Sequence, residues 1–460
     1  MTGQWVAAAW GRIVAVHTMI TAEQAELAQS RVAGALQHLR RGDRVALVVP
    51  PGTDLVTAVA GALRVGVVPV VLDPGTPAAE LADLLADADA ALVVDSAEKL
   101  DELHAGDPAP LAEVPLGRPM HYTSGTTGRR KGVWSGVLAV ETARRLWGEE
   151  RELWGFGPDD LHVVVSPLYH SAPLRFAIGT LLAGGSVLAP GRFDPERFLA
   201  LAVEHRPTTL FTAPAQLQRL RELDDPRTAE VLGRLRLLAH AGAPCPDVVK
   251  RWVLDHADHK AVWEFYGSTE GQFTACSAAD WERHPNTVGK ARPGRTLSTD
   301  PDGTIWCTVP EHGYFEYWRA PDKTAQTWRD TPHGRAFSVG DLGRLDEEGY
   351  LYLDGRRDDL VITGGVNVYP LEVERVLEQC PAVHEIAVYG VDDERWGQRV
   401  EAAVVLRPGV DTSEPIATFA RERLTPAQRP KALHVRDALP RTSTGKVLRG
   451  ELRASRPESS

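Results

Sequence analysis

The densest chemistry in the sequence lies in one string, Tyr122-Thr123-Ser124-Gly125-Thr126-Thr127-Gly128-Arg129-Arg130-Lys131-Gly132-Val133. Its glycines let a backbone approach an anion closely and turn N–H groups toward it. The unbroken run of hydroxyl residues and glycines from Thr123 through Ser124, Gly125, Thr126 and Thr127 to Gly128 adds donors, and Lys131 adds a fixed positive charge. Together these are what a polyphosphate needs. The string is not the GxxxxGK[ST] loop of kinases and GTPases, because Arg130 stands five residues beyond Gly125 and Gly132 follows the lysine. Lysine is scarce, 8 residues against 43 arginines, so a lysine that falls inside a motif stands out.

Such a loop has to be held by a layered fold. Between residues 21 and 39 apolar side chains recur at helical spacing (Ala25, Ala28, Val32, Leu36, Leu39). Residues 44–49 then read as a short apolar strand, Thr53 as the N-cap of the next helix, and 67–72 as another strand. Thr76-Pro77 supplies an N-cap followed by proline at the first helical position, and 91–94 closes the series. Repeated βα units with continuous apolar strands predict a parallel sheet covered by helices. Residues 163–305 repeat that grammar with more glycine and proline. After Gly355 the texture changes: a helix over 370–379, alternating strands over 385–389 and 399–406, and a helix near 414–424 form a compact α+β unit. The expected fold class is α/β, with a large N-terminal domain (1–354) of helix-covered, mainly parallel sheets and a small α+β C-terminal domain (355–460).

The chain has 460 residues, 43% hydrophobic and 25% charged, with net charge −11. That mix excludes disorder and collagen-like architecture. An acidic chain with no basic stripe and no interleaved aromatics is not a nucleic-acid binder. No window of about 18 uncharged apolar residues is present, so no membrane span is expected. The four cysteines (Cys245, Cys276, Cys307, Cys380) form no CxxC pair, and residues at the start show no secretory leader; a cytoplasmic protein is the expectation.

The glycine-rich string resembles the phosphate loop of the adenylate-forming superfamily, which includes acyl-CoA synthetases, peptide-synthetase adenylation domains and luciferases. Further segments of that superfamily follow in order. Pro167-Leu168-Tyr169-His170-Ser171-Ala172-Pro173 is similar to the segment whose aromatic or histidine residue gates the acyl pocket. Gly242-Ala243-Pro244 resembles the stretch along the adenine. In Phe265-Tyr266-Gly267-Ser268-Thr269-Glu270 the resemblance implies that Tyr266 stacks on adenine, Thr269 touches the α-phosphate and Glu270, with Thr127, holds Mg²⁺. An aromatic face suits a base, and a hard carboxylate suits a hard cation. In Ser338-Val339-Gly340-Asp341, Asp341 would accept from both ribose hydroxyls. Arg356 would also reach the ribose, and Asp358 would be the hinge about which a mobile C-terminal domain rotates.

Thr363-Gly364-Gly365-Val366-Asn367-Val368-Tyr369-Pro370 is similar to the loop lining the pantetheine tunnel. Pro440-Arg441-Thr442-Ser443-Thr444-Gly445-Lys446 resembles the segment that delivers the adenylation lysine, here Lys446. By motif position His170, Phe265, Gly267, Gln272 and Phe273 would border the acyl group. The closest texture is that of fatty-acyl and steroid- or bile-acid-type CoA ligases. The implied activity is ATP-dependent formation of acyl-AMP from an apolar or aryl acid, then transfer to CoA. A carrier-protein phosphopantetheine, an amine or nitrite is the alternative acceptor. Two departures stand out. Arg130 occupies a position where proline is usual, and Ala427-Gln428-Arg429-Pro430-Lys431 lacks the aromatic-lysine start of CoA-forming members; Arg429 and Lys431 could still bind CoA phosphates, with Trp396 nearby.

Overall fold

The computed structural model describes residues 19–123, 130–442 and 445–455. Ser124, Gly125, Thr126, Thr127 and Gly128 of the phosphate loop lie outside the described residues, as do Ser443, Thr444 and the first eighteen residues.

The early βα units form as expected. Strands Val68–Val71, Arg44–Leu47 and Leu92–Val94 make a parallel sheet with Arg44–Leu47 at its centre. Helix Ala22–Ala35 packs against helix Thr53–Arg64, a helix buried along nearly its whole length. Two helix starts differ from expectation. Gly52 rather than Thr53 is the N-cap residue, and Thr53 is the first helical residue. Pro77 is extended (φ −52°, ψ 139°) and its carbonyl accepts the first helical bond from Leu81, so the helix begins at Ala78 with proline as the cap.

The principal sheet has eight strands. Its parallel centre runs Ser186–Leu188, Leu161–Val164, Thr209–Thr212, Leu237–His240 and Val262–Glu264. Met19–Thr21 closes one edge antiparallel; Thr274–Ser277 and Lys290–Ala291 close the other. The parallel grammar therefore stops at Glu264, earlier than the sequence suggests. From Thr274 on the neighbours are antiparallel, and Thr296–Thr299, Ile305–Val309, Gly334–Phe337 and Trp328–Thr331 form an antiparallel sheet of their own. Short strands joined by tight turns leave no room for the crossover helix that parallel pairing needs.

The C-terminal sheet is built on the long hairpin Val383–Asp393 and Gly397–Leu406, joined by Val361–Thr363, Val366–Val368 and Leu433–Val435. It has its own apolar core, including Val373, Leu377, Val388, Ala402 and Ile416, supplied in part by helices Pro370–Leu377 and Glu414–Arg423. Its opposite face (Ala387, Tyr389, Ala403) is covered by Leu439 and Leu452, the latter on helix Arg449–Ala454. Lys446 lies between those two anchors, so its position is fixed by packing on this sheet. Among the described residues no helix is long and apolar enough to cross a membrane.

Candidate active site

The base of the phosphate loop is a hairpin. Thr123 and Lys131 are cross-strand partners on His121–Thr123 and Lys131–Trp134, and the Thr123 hydroxyl lies 3.4 Å from the Lys131 carbonyl. Both ends of the loop are thereby held side by side. Arg130, which replaces the usual proline, forms an ion pair with Glu80 at 2.8 Å. A third strand, Glu316–Tyr317, pairs with Lys131–Trp134, and from it the Tyr317 hydroxyl donates to Glu270 Oε1 at 2.7 Å.

Glu270 and Thr269 sit in a tight turn. Gly267 and Gln272 form a bridge across its neck, and the Ser268 N–H donates to the Gly271 carbonyl at 2.8 Å. A Cβ on Gly267 would stand 2.9 Å from that carbonyl oxygen, so only glycine fits. Glu270 is buried. One oxygen accepts from Tyr317, and no hydrogen bond from the described residues reaches the other. No cluster of three or more metal-ligating side chains occurs among the described residues. A single buried carboxylate with a free oxygen fits Mg²⁺, which binds through one or two carboxylates plus substrate phosphates.

Asp341 and Arg356 face each other on the ladder of Asp341–Leu345 and Leu351–Arg356. Arg356 Nε is 3.3 Å from Asp341 Oδ1, and the Tyr266 hydroxyl donates to Oδ2. Burial raises the Asp341 pKa, with Arg356, Tyr266 and Lys446 opposing that rise. Lys446, delivered from the C-terminal sheet, belongs to the same group of charges: burial and the neighbouring Arg356 pull it down to about 8, against Asp359 and Asp341. Gly242, Ala243 and Pro244 follow strand Leu237–His240 at its carboxyl end, where open parallel sheets bind ligands. Asp358 lies in the single turn Arg357–Asp359 that joins the two regions.

On the C-terminal sheet, Gly364 and Gly365 make the turn between Val361–Thr363 and Val366–Val368 with φ of +58° and +79°. Trp396 lies against this turn: its carbonyl accepts from the Gly364 N–H at 2.8 Å, and a Cβ on Gly364 would stand 2.8 Å from its ring. The two cations expected near CoA are otherwise engaged. Arg429 donates to the carbonyls of Leu424 and Arg421, both at 2.9 Å, closing the end of helix Glu414–Arg423, and Lys431 Nζ donates to the Pro426 carbonyl at 2.9 Å. Arg429 is thus a helix-capping group here.

A cavity opens beside the Ser268–Gly271 turn, and of the five residues expected to border the acyl group only Gln272 lines it. Phe265 packs into an aromatic cluster with Trp154, Phe176 and Phe211, and its ring lies under the guanidinium of Arg175, which lines the cavity. Phe273 is fully buried between Tyr266 and Phe337. Gly267 is spent on the turn. His170 is the N-cap residue of helix Ser171–Leu182, beside the cavity wall rather than on it; burial takes it down to about 4, so it is neutral near pH 7. The cavity is lined instead by Leu146, Trp147, Leu174 and Ile178 together with Arg118, Arg175, Arg295 and Glu150. These arginines come from separate segments and carry no motif, which is why they escape a reading of the sequence. Tyr317, the partner of Glu270, escapes it for the same reason.

Comparison with known proteins shows the family. The AMP-binding enzyme family matches residues 3–116 and 119–303, and the AMP-binding enzyme C-terminal domain matches 372–446. The chain is 30% identical to the long-chain-fatty-acid–CoA ligase FadD13 of Mycobacterium tuberculosis, over 90% of this chain and 88% of that one. It is 31% identical to a feruloyl-CoA synthase of Amycolatopsis, over 95% and 94%. The fold superposes on ATP-bound MatB from Rhodopseudomonas palustris with a TM-score of 0.83 at 31% identity, covering 98% of both chains. With its loop hairpin, its Thr269-Glu270 turn and two matching family domains, the chain belongs to the AMP-binding enzymes of the adenylate-forming superfamily.

Proposed function

We propose that this chain is an acid–thiol ligase that converts a carboxylic acid, apolar or aryl in body, to acyl-AMP with ATP and passes the acyl group to CoA. The observation that carries the reading is the charge group around Lys446, a half-buried lysine of the C-terminal part whose electrostatic neighbours include Asp341 and Arg356 of another sheet. The chain divides near residue 354, and its parts 1–354 and 355–460 meet at this point.

A carboxylate has no good leaving group, and its attack on the α-phosphorus of ATP supplies one as pyrophosphate departs. The protein's task is positioning and charge stabilisation. Residues 123–131, among them Thr123 and Lys131, hold the β- and γ-phosphates. Tyr266 and the Gly242-Ala243-Pro244 stretch flank the adenine, and Asp341 and Arg356 hold the ribose. Thr269 touches the α-phosphate, and Lys446 offsets the charge that develops between phosphate and carboxylate. Mg²⁺, held by Glu270 with Thr127, would neutralise phosphate charge. His170 stands at the entrance as a neutral imidazole.

For the second step the C-terminal part turns about Asp358, withdraws Lys446 and brings Gly364, Gly365 and Trp396 to the pantetheine arm. The CoA sulfur attacks the acyl carbon, the thiol gives up its proton and AMP leaves. Lys431 is the cation closest to this task once Arg429 is committed to its helix. The relatives named for fatty-acid and feruloyl substrates support the acyl class.

The test incubates the protein with MgATP and a panel of fatty, aryl and alicyclic acids, with and without CoA, and reads acyl-AMP and acyl-CoA by mass spectrometry. Acyl-CoA from one acid class is the expected result. Acyl-AMP that accumulates while CoA is ignored would overturn the assignment of the acceptor.

A further inference from the structure

We propose that the acid activated here carries a second anionic group, seated against Arg118, Arg175 and Arg295 of the cavity. The inference rests on the ligase reading above, because the cavity adjoins the Thr269-Glu270 turn where the reacting carboxylate must lie. It narrows that reading to acids with two charged ends on a hydrocarbon or aryl spacer.

The argument is one of charge balance. Four guanidinium groups gather here: Arg118, Arg175 and Arg295 line the cavity, and Arg292 lies fully buried behind it. Two glutamates meet them in ion pairs, and the charge of a third, Glu270, also acts on Arg118. Glu150 Oε1 meets Arg292 at 2.9 Å, and Oε2 meets Arg175 at 2.9 Å and accepts from the Trp154 indole at 3.0 Å. Glu149 is taken by Arg295 at 3.1 Å and His312 at 2.8 Å. Burial opposes ionisation of Glu150, but Arg175 and Arg292 overcome it and hold the carboxyl near 2. Both glutamates are therefore charged and consumed, and positive charge remains in excess.

Arg118 holds most of that excess. Its hydrogen bonds go to neutral carbonyls, those of Glu270 at 3.0 Å and Tyr314 at 3.4 Å. Burial, then Arg295 and Arg175, pull its pKa down to about 10, so it is charged near pH 7 yet repelled by its neighbours. Three buried donors around the cavity have no partner among the described residues: Arg175 Nη2, Arg295 Nε and Ser268 Oγ. Unpaired buried charge is expensive, and a carboxylate can accept from several donors at once. A plain hydrocarbon acid would leave these guanidiniums facing methylene groups. An amino acid would bring an ammonium among them, and Glu150 offers it no free oxygen. A second carboxylate satisfies the donors and offsets the excess, while Leu146, Trp147, Leu174 and Ile178 take the spacer.

The test uses matched probes: adipic, phthalic and terephthalic acids, each against its monoamide, the neutral near-isostere. Purified protein with MgATP and CoA is assayed for acyl-CoA by mass spectrometry, and kcat/KM is compared within each pair. The expected result is a preference of at least about tenfold for one or more diacids over the monoamide, as for loss of one charge-assisted contact. Arg175→Gln and Arg295→Gln, made separately in case one fails to fold, should each collapse that ratio toward one, a readout that general damage to the fold does not move. Monoamides used as well as diacids, or a preference unchanged in both variants, would overturn the inference and leave the ligase reading standing. No acyl-AMP from any acid, mono or di, would overturn the ligase reading and this inference with it.

Discussion

Two groups of charge lie within this molecule and they are composed in different ways. At the first, Asp341 faces Arg356 at 3.3 Å, and Lys446, from a separate segment, is acted on by Arg356, Asp359 and Asp341. Around Arg118, Arg175, Arg292 and Arg295, two glutamates form ion pairs and Glu270 acts on Arg118 by charge alone, so the guanidiniums outnumber the carboxylates. On the proposed reading the first arrangement would be taken apart and remade as the C-terminal part turns, and the second would be completed when a negative group enters.

The sharpest way to break this comparison is to remove a pinned carboxylate from the second group. Glu150→Gln leaves Arg175 and Arg292 buried without their counter-charge, and breaking such a pair costs about 3–5 kcal/mol. The expected outcome is a large fall in the thermal unfolding midpoint, measured calorimetrically. The same linkage acts with pH: Glu150, ionised down to about 2, contributes stability present above its ordinary carboxylate value and lost as pH falls toward 2.

In the first group the equivalent deletion should act on rate, not on stability. Lys446→Ala is expected to slow acyl-AMP formation by on the order of 10²–10³-fold, the scale seen when one charge-stabilising donor is lost. Thioester formation from supplied acyl-AMP should be kept; pyrophosphate exchange and single-turnover transfer to CoA separate the two steps. Wild-type adenylation should also show an alkaline limb. Because burial and Arg356 lower the Lys446 pKa to about 8, the charged form is lost as pH rises through that value, and kcat/KM should fall roughly tenfold per unit above it.

The smallest effect concerns the element that moves. Gly364→Ala puts a Cβ at φ +58° and 2.8 Å from the Trp396 ring, a strain of about 1–2 kcal/mol. Transfer to CoA should weaken while adenylation is retained, a split read by assaying the half-reactions separately.

Much of this was legible in the sequence because it is local. The strands and helices of the first hundred residues follow from apolar spacing, and Asp341, Arg356, Tyr266 and Glu270 stand in contiguous motifs whose members the fold keeps adjacent. Phe265 and Phe273 show where contiguity misleads. They flank the same turn as Glu270, but an extended backbone sends alternate side chains to opposite faces, and both rings went to cores. Arg118, Arg175 and Arg295 show the reverse. Each stands alone in its segment, and only tertiary packing brings them to one cavity. Arg429 looked like a phosphate ligand by residue type, but its guanidinium donates to the open carbonyls at the end of helix Glu414–Arg423.

The two-residue strand Glu316–Tyr317 ties two distant parts of the nucleotide site to one piece of backbone. Tyr317 pairs with Val133 in the strand that begins at Lys131, while its hydroxyl holds Glu270. The spacing between the root of the phosphate loop and the buried carboxylate is therefore set by covalent geometry and a few hydrogen bonds before any nucleotide arrives. On the proposed reading it would work as a gauge cut into the protein, against which the length of an incoming polyphosphate is measured.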